Sequence, residues 1–116
     1  MLITTLKSKL HRVKVTQAEL YYEGSITVDE ELLKVAHILP HEKVQIVNVN
    51  NGSRLETYTI PGKWGERTIC LNGPAARMNS VGDEIIIITY TQMQEAEALL
   101  YHPTVIMVDE NNNPLK

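Results

Sequence analysis

Four consecutive isoleucines, Ile85 to Ile88, between Glu84 and Thr89-Tyr90, constrain this chain more than any other stretch. Nothing polar interrupts the run. A short apolar run that follows a turn signal, here Val81-Gly82-Asp83, is expected to form a strand buried on both faces. The rest of the fold must cover it. With 43% hydrophobic residues in 116, the chain can build one packed core, and one domain spanning residues 1–116 is the expectation. The longest apolar runs are of this short kind, far below the roughly 20 residues that span a bilayer.

Other segments read as further strands. Residues 2–15 carry Leu6, Leu10, Val13 and Val15 with no Gly or Pro between them, which suits a long strand. Val44 to Val49 alternates, and Asn51-Gly52 is a hairpin turn leading into Arg54 to Ile60. Thr68 to Leu71 and Thr104 to Val108 are shorter strands. Asp29 is a suitable N-cap for a helix carrying Leu32, Leu33, Val35 and Ala36 and ending at Pro40. Pro74 suits the first turn of a short helix through Arg77, Gln92 to Leu100 has a helical pattern, and Asp109 to Lys116 is a polar tail expected to fray. Many short strands with a few short helices predict a mainly β fold closed into a barrel, since closure removes edges open to other chains.

Composition narrows the function. A net charge of −3, one Trp and no Phe argue against a nucleic-acid surface, which needs basic patches and stacking rings. The one basic concentration, Lys9-His11-Arg12-Lys14, would be split between the two faces of a regular strand. Cys70 is the single cysteine, so no disulfide forms within the chain, and a buried, inert thiol is expected. The N-terminus has no signal-peptide pattern, and a cytoplasmic location is the expectation. His37 and His41 are four apart, but Pro40 breaks the helix that would align them, so no metal site is predicted.

Three segments carry more than periodicity. In Tyr22-Glu23-Gly24-Ser25 a hydroxyl follows a glycine whose carbonyl has no side chain to shield it from attack, although a Gly-Ser pair alone is ordinarily a turn. In Asn51 to Tyr58, a strand would put Arg54, Glu56 and Tyr58 on one face and Thr57 on the other unless a bulge re-aims it. Leu71-Asn72-Gly73-Pro74-Ala75-Ala76-Arg77 exposes backbone at the start of a short turn.

Together with Ser8 to Thr16, these segments closely resemble the pyruvoyl-dependent aspartate 1-decarboxylases, in order and spacing, over nearly the whole chain. The resemblance implies a double-psi β-barrel, assembled as a homotetramer with sites between subunits. It implies cleavage between Gly24 and Ser25 into residues 1–24 and 25–116, with Ser25 becoming a covalent pyruvoyl group. It further implies that Thr57 assists cleavage and contacts substrate, Lys9 and Arg54 bind carboxylates, and Tyr58 donates a proton. Asn72 would polarise the pyruvoyl environment, and Gly73, Pro74 and Ala75 would present backbone to substrate, with Tyr22 and His11 as supporting candidates. Two places depart from the family pattern: Val47, where some members have Trp, and Trp64 to Arg67, where Arg-Gly-Ser-Gly is common.

The chemistry is coherent. Loss of CO₂ from an α-amino acid leaves an electron pair on Cα, no ordinary side chain can accept it, and a ketone that takes the substrate amine as a Schiff base can. L-Aspartate would yield β-alanine, a pantothenate precursor. Cleavage is either spontaneous or assisted by a maturation factor. The alternative class is a non-enzymatic double-psi barrel acting as a binding or assembly module, in which Gly24-Ser25 is a plain turn and the chain stays intact.

Overall fold

The isoleucine run lies at the centre of the sheet. The computed structural model describes residues 1–115, and Lys116 lies outside the described residues. Its strands are β1 (Leu2–Lys14), β2 (Gln17–Glu19), β3 (Ser25–Asp29), β4 (Lys43–Asn48), β5 (Arg54–Gly62), β6 (Ile69–Asn72), β7 (Glu84–Gln94) and β8 (Thr104–Met107). The helices are α1 (Glu30–Val35) and α2 (Glu95–Ala98), and Gly73–Arg77 is a 3₁₀ turn. β7 is paired on both sides, with β1 and with β4. Ile85 and Ile87 are fully buried. On the opposite face Ile88 is nearly buried but Ile86 only half-buried, so burial on both faces is incomplete within one chain.

The eight strands follow the order β2-β6-β3-β5-β4-β7-β1-β8. β1 and β2, at opposite ends of the β2-to-β1 run, are consecutive in the chain. At their junction the Val15 and Thr16 N–H groups donate to the Asp83 and Ile69 carbonyls at 2.9 and 2.8 Å, so the sheet curls into a barrel of the mainly β class expected. Leu10, Val13, Ile26, Val28, Leu32, Ile46, Ile69 and Leu71 fill it.

Asp29 caps α1, accepting from the Glu31 N–H at 2.8 Å. Its carboxylate also accepts from the Gly65 and Arg67 N–H groups at 3.0 and 2.6 Å and from the Arg67 guanidinium at 3.0 Å. The divergent Trp64 to Arg67 segment thus clamps the C-terminal end of β3, the strand that begins with Ser25.

Several expectations are corrected. α1 stops at Val35, before Pro40, because His37 takes a left-handed φ of 58° and the Ile38 N–H turns back to the Leu33 carbonyl at 2.9 Å. The helical pattern from Gln92 is overridden by pairing of Leu2 and Ile3 with Gln94 and Met93, which extends β7 and leaves a helix of only Glu95–Ala98. The described part of the tail does not fray. Buried Asn112 accepts from the Lys14 N–H at 2.8 Å and donates to the Lys14 carbonyl at 2.9 Å, and Val108 bridges to Pro114. The Lys9 to Lys14 alternation is broken by a bulge between Leu10 and Val13, where Arg12 has φ 64°. His11, Arg12 and Lys14 consequently line one depression instead of dividing between faces.

Candidate active site

β3 and β6 pair antiparallel with Ser25 opposite Asn72 and Thr27 opposite Cys70. Directly opposed residues and those two apart share a face, so these four polar side chains form a square. The Asn72 amide N–H₂ donates to Ser25 Oγ at 3.0 Å and to Thr27 Oγ1 at 2.9 Å. The Ser25 hydroxyl, fully buried, donates to the Glu23 carbonyl at 3.0 Å. The Cys70 thiol donates to Asn72 Oδ1 at 3.3 Å, and burial, followed by the charge of Glu19, pushes its pKa up, so it remains a thiol.

Gly73 holds the other side of the cleavage segment. Its φ is +66°, and a Cβ there would lie 2.7 Å from the Tyr22 carbonyl oxygen and 2.9 Å from both Gly24 Cα and Gly24 N. Only glycine allows that approach. The 3₁₀ turn that follows is tied down by Asn79, which donates to the Ala75 carbonyl at 2.9 Å.

Beside Gly24 opens a cavity of about 480 Å³, walled by Pro74, Ala75 and Met78 on one side and by Leu55, Glu56, Thr57 and Tyr58 on the other. Four consecutive β5 residues contribute because β3 joins β5 only from Thr59 onward, and the cavity runs along the edge left free. No bulge re-aims Thr57, since the β4–β5 register is unbroken from Arg54 to Tyr58. Thr57 and Tyr58 reach the cavity from opposite faces of that edge.

The cations lie elsewhere. Cross-strand pairing aligns Lys9, Ile88, Gln45 and Glu56 on the outward face of the barrel, with Arg54, Val47 and Ile86 in the next row. Arg54 donates to Gln45 Oε1 at 2.6 Å, as does the Tyr90 hydroxyl at 2.9 Å. His11 faces the separate depression, its pKa lowered by burial and then by Lys9 and Arg12. One chain therefore brings together Tyr22, Gly24, Ser25, Thr57, Tyr58, Asn72, Gly73, Pro74 and Ala75, but not Lys9, Arg54 or His11. The reading of the sequence missed Thr27 and Cys70: alternation puts each on the face of Ser25 or Asn72, but only the β3–β6 register brings the two pairs together. It also missed Leu55 and Met78, which had no signal of their own, and gave no role to Glu56, which it had placed on the face of Arg54 and Tyr58.

The family model for aspartate decarboxylase matches residues 1–115. The chain belongs to the aspartate decarboxylase family. It is 65% identical over 116 residues to aspartate 1-decarboxylase of Desulfitobacterium hafniense, covering 100% of this chain and 91% of the relative. Identity to the enzyme of that name from Salinibacter ruber is 64% over 114 residues, 98% of this chain and 78% of the relative. Its counterpart from Leptospira biflexa is 56% identical over 117 residues, covering 100% and 99%. The aspartate decarboxylase family is pyruvoyl-dependent.

Proposed function

We propose that the protein is an aspartate 1-decarboxylase that cleaves itself between Gly24 and Ser25 and then converts L-aspartate to β-alanine and CO₂. The observation that carries this reading is the Asn72 amide donating to the buried Ser25 oxygen, beside the cavity that Gly24 lines. In maturation, Ser25 Oγ attacks the Gly24 carbonyl carbon, the peptide C–N bond breaks, and the Ser25 nitrogen takes the proton, giving an ester. Loss of the Ser25 Cα proton with scission of Cβ–Oγ releases the Gly24 carboxylate. The dehydroalanine left behind takes up water and loses ammonia, leaving a ketone at residue 25. An N–H on Oγ stabilises negative charge on that oxygen, both as nucleophile and as departing carboxylate oxygen.

The residues present fit a pyruvoyl group at position 25. Asn72 and Thr27 supply polar partners, Gly73 leaves room for the severed strand end, and the cavity falls in the usual size range for a small-molecule site. That group would supply the electron sink for the pair left on Cα. Thr57 and the Gly73 to Ala75 backbone border the substrate in this reading, and Tyr58 returns the proton to Cα. Arg54 clamps the retained β-carboxylate through two parallel hydrogen bonds, and Lys9 orients the departing α-carboxylate.

Lys9 and Arg54 share an outward face with Val47, Ile86 and Ile88, and neither lines its own chain's cavity. That arrangement supports a homotetramer in which a neighbouring chain completes each site. Tyr58 lies where the cavity meets that face, and His11 and Tyr22 have supporting roles. No helix among the described residues is long and apolar enough to cross a membrane, and the cytoplasm is the proposed location. Purified protein given L-aspartate should release β-alanine, and the Ser25→Ala variant should release none while remaining uncut. β-Alanine production at the wild-type rate by Ser25→Ala would overturn the reading.

A further inference from the structure

A side-chain amide can present either its N–H₂ or its oxygen to a neighbouring hydroxyl, and the two orientations have opposite effects on a serine that must attack. With N–H toward Oγ, negative charge on the serine oxygen is stabilised. With the amide oxygen there, charge on Oγ is opposed and the serine proton is retained. Asn72 is fully engaged in the first orientation: one N–H goes to Ser25, the other to Thr27, and the amide oxygen takes the Cys70 thiol hydrogen. Ser25 complements this, since its own hydrogen is occupied by the Glu23 carbonyl and a lone pair is left for Asn72.

We infer that Cys70 is a positioning residue for self-cleavage, its thiol hydrogen holding the Asn72 oxygen so that the amide N–H faces Ser25 Oγ. Rotating the amide would place N–H₂ against a thiol, a weak acceptor, and would leave the buried thiol hydrogen only the longer contact to the Leu71 carbonyl, at 4.0 Å against 3.3 Å to Asn72 Oδ1. Thr27 alone does not select the orientation, because a hydroxyl can donate or accept. The Glu23 carbonyl favours that orientation from the serine side, and Cys70 holds it from the amide-oxygen side. The inference rests on the self-cleavage reading above and adds a residue to it. It requires a donor at position 70, not a sulfur.

The test is a time course of cleavage after cell-free synthesis of the full chain, read as denatured intact mass, for wild type, Cys70→Val, Cys70→Ala and Cys70→Ser. Valine fills the space without a donor, alanine empties it, and serine restores a donor. Cleavage of both Cys70→Val and Cys70→Ala should slow by roughly tenfold, the scale of one modest hydrogen bond, and Cys70→Ser should stay within about threefold of wild type. Thermal unfolding of each variant in a Ser25→Ala background separates rate from stability. Wild-type cleavage rates in both Cys70→Val and Cys70→Ala overturn the inference. So do rates that follow the melting temperature whether or not a donor is present. A wild-type chain that stays uncut would instead overturn the self-cleavage reading itself.

Discussion

Replacing Gly73 with alanine adds one methyl group at the tightest contact with the cleavage segment. Two effects combine. The left-handed φ of +66° costs an L-residue about 1–2 kcal/mol, and the new carbon would sit at 2.7 and 2.9 Å from backbone atoms of Tyr22 and Gly24. Those neighbours are main chain and cannot rotate away, so the segment must shift, at an overpacking cost of roughly 1–3 kcal/mol. The sum, about 2–5 kcal/mol, should lower the melting temperature by roughly 8–20 °C, at about 4 °C per kcal/mol for a domain near this size. The same shift displaces Gly24 from Ser25 and Asn72, and a misplacement approaching an ångström slows a positioned reaction by up to about 100-fold. Cleavage is read by timed intact mass, and stability by thermal unfolding in a Ser25→Ala background. Gly52→Ala is the control, because Gly52 also has positive φ, at +76°, but a Cβ there meets nothing within 4 Å. Equal cleavage rates for Gly73→Ala and Gly52→Ala would refute the reasoning.

Arg54→Lys keeps the charge but loses the planar fork, and should lower kcat/KM for aspartate by about one to two powers of ten while leaving cleavage intact; unchanged kinetics on fully processed protein would remove Arg54 as the clamp. Sedimentation should find a tetramer, and a fully active monomer would refute sites shared between chains. For Asp29, burial acts to raise the pKa, but N–H groups of Gly65, Arg67 and Glu31 and the Arg67 side chain outweigh it and hold the carboxyl below its ordinary 3.8. A depressed folded pKa gives stability that is present above the unfolded value and lost as pH falls through the folded one. Urea unfolding from about pH 6 down to about pH 3 should therefore show a steeper acid loss in wild type than in Asp29→Asn, and parallel curves would contradict the clamp on β3.

Much of the fold was legible wherever one local rule acted alone. The isoleucine run, the Asn51-Gly52 turn, the Asp29 cap and the Pro74 turn each declare themselves through side-chain chemistry. Long-range pairing decided the rest. β2 is three exposed residues recruited by β6, β7 continues through a helical pattern because β1 lies beside it, and the tail is held by Asn112 bonding the Lys14 backbone at the end of β1. For the site, the motif pointed to Gly24, Ser25, Asn72 and Gly73, and alternation rightly put Thr57 and Tyr58 on opposite faces; that both still border one cavity follows from a free strand edge, which alternation does not reveal. Thr27 and Cys70 look apolar or incidental in the sequence. Their importance depends on the β3–β6 register, which no local pattern specifies.

The central claim is that Ser25 becomes a ketone at a new chain end. Denatured intact mass before and after borohydride treatment tests it most directly. Two fragments ending at Gly24 and beginning at residue 25 are predicted, with the larger one lacking a free amino terminus and gaining two hydrogens on reduction. A single chain of 116 residues that borohydride leaves unchanged would contradict it.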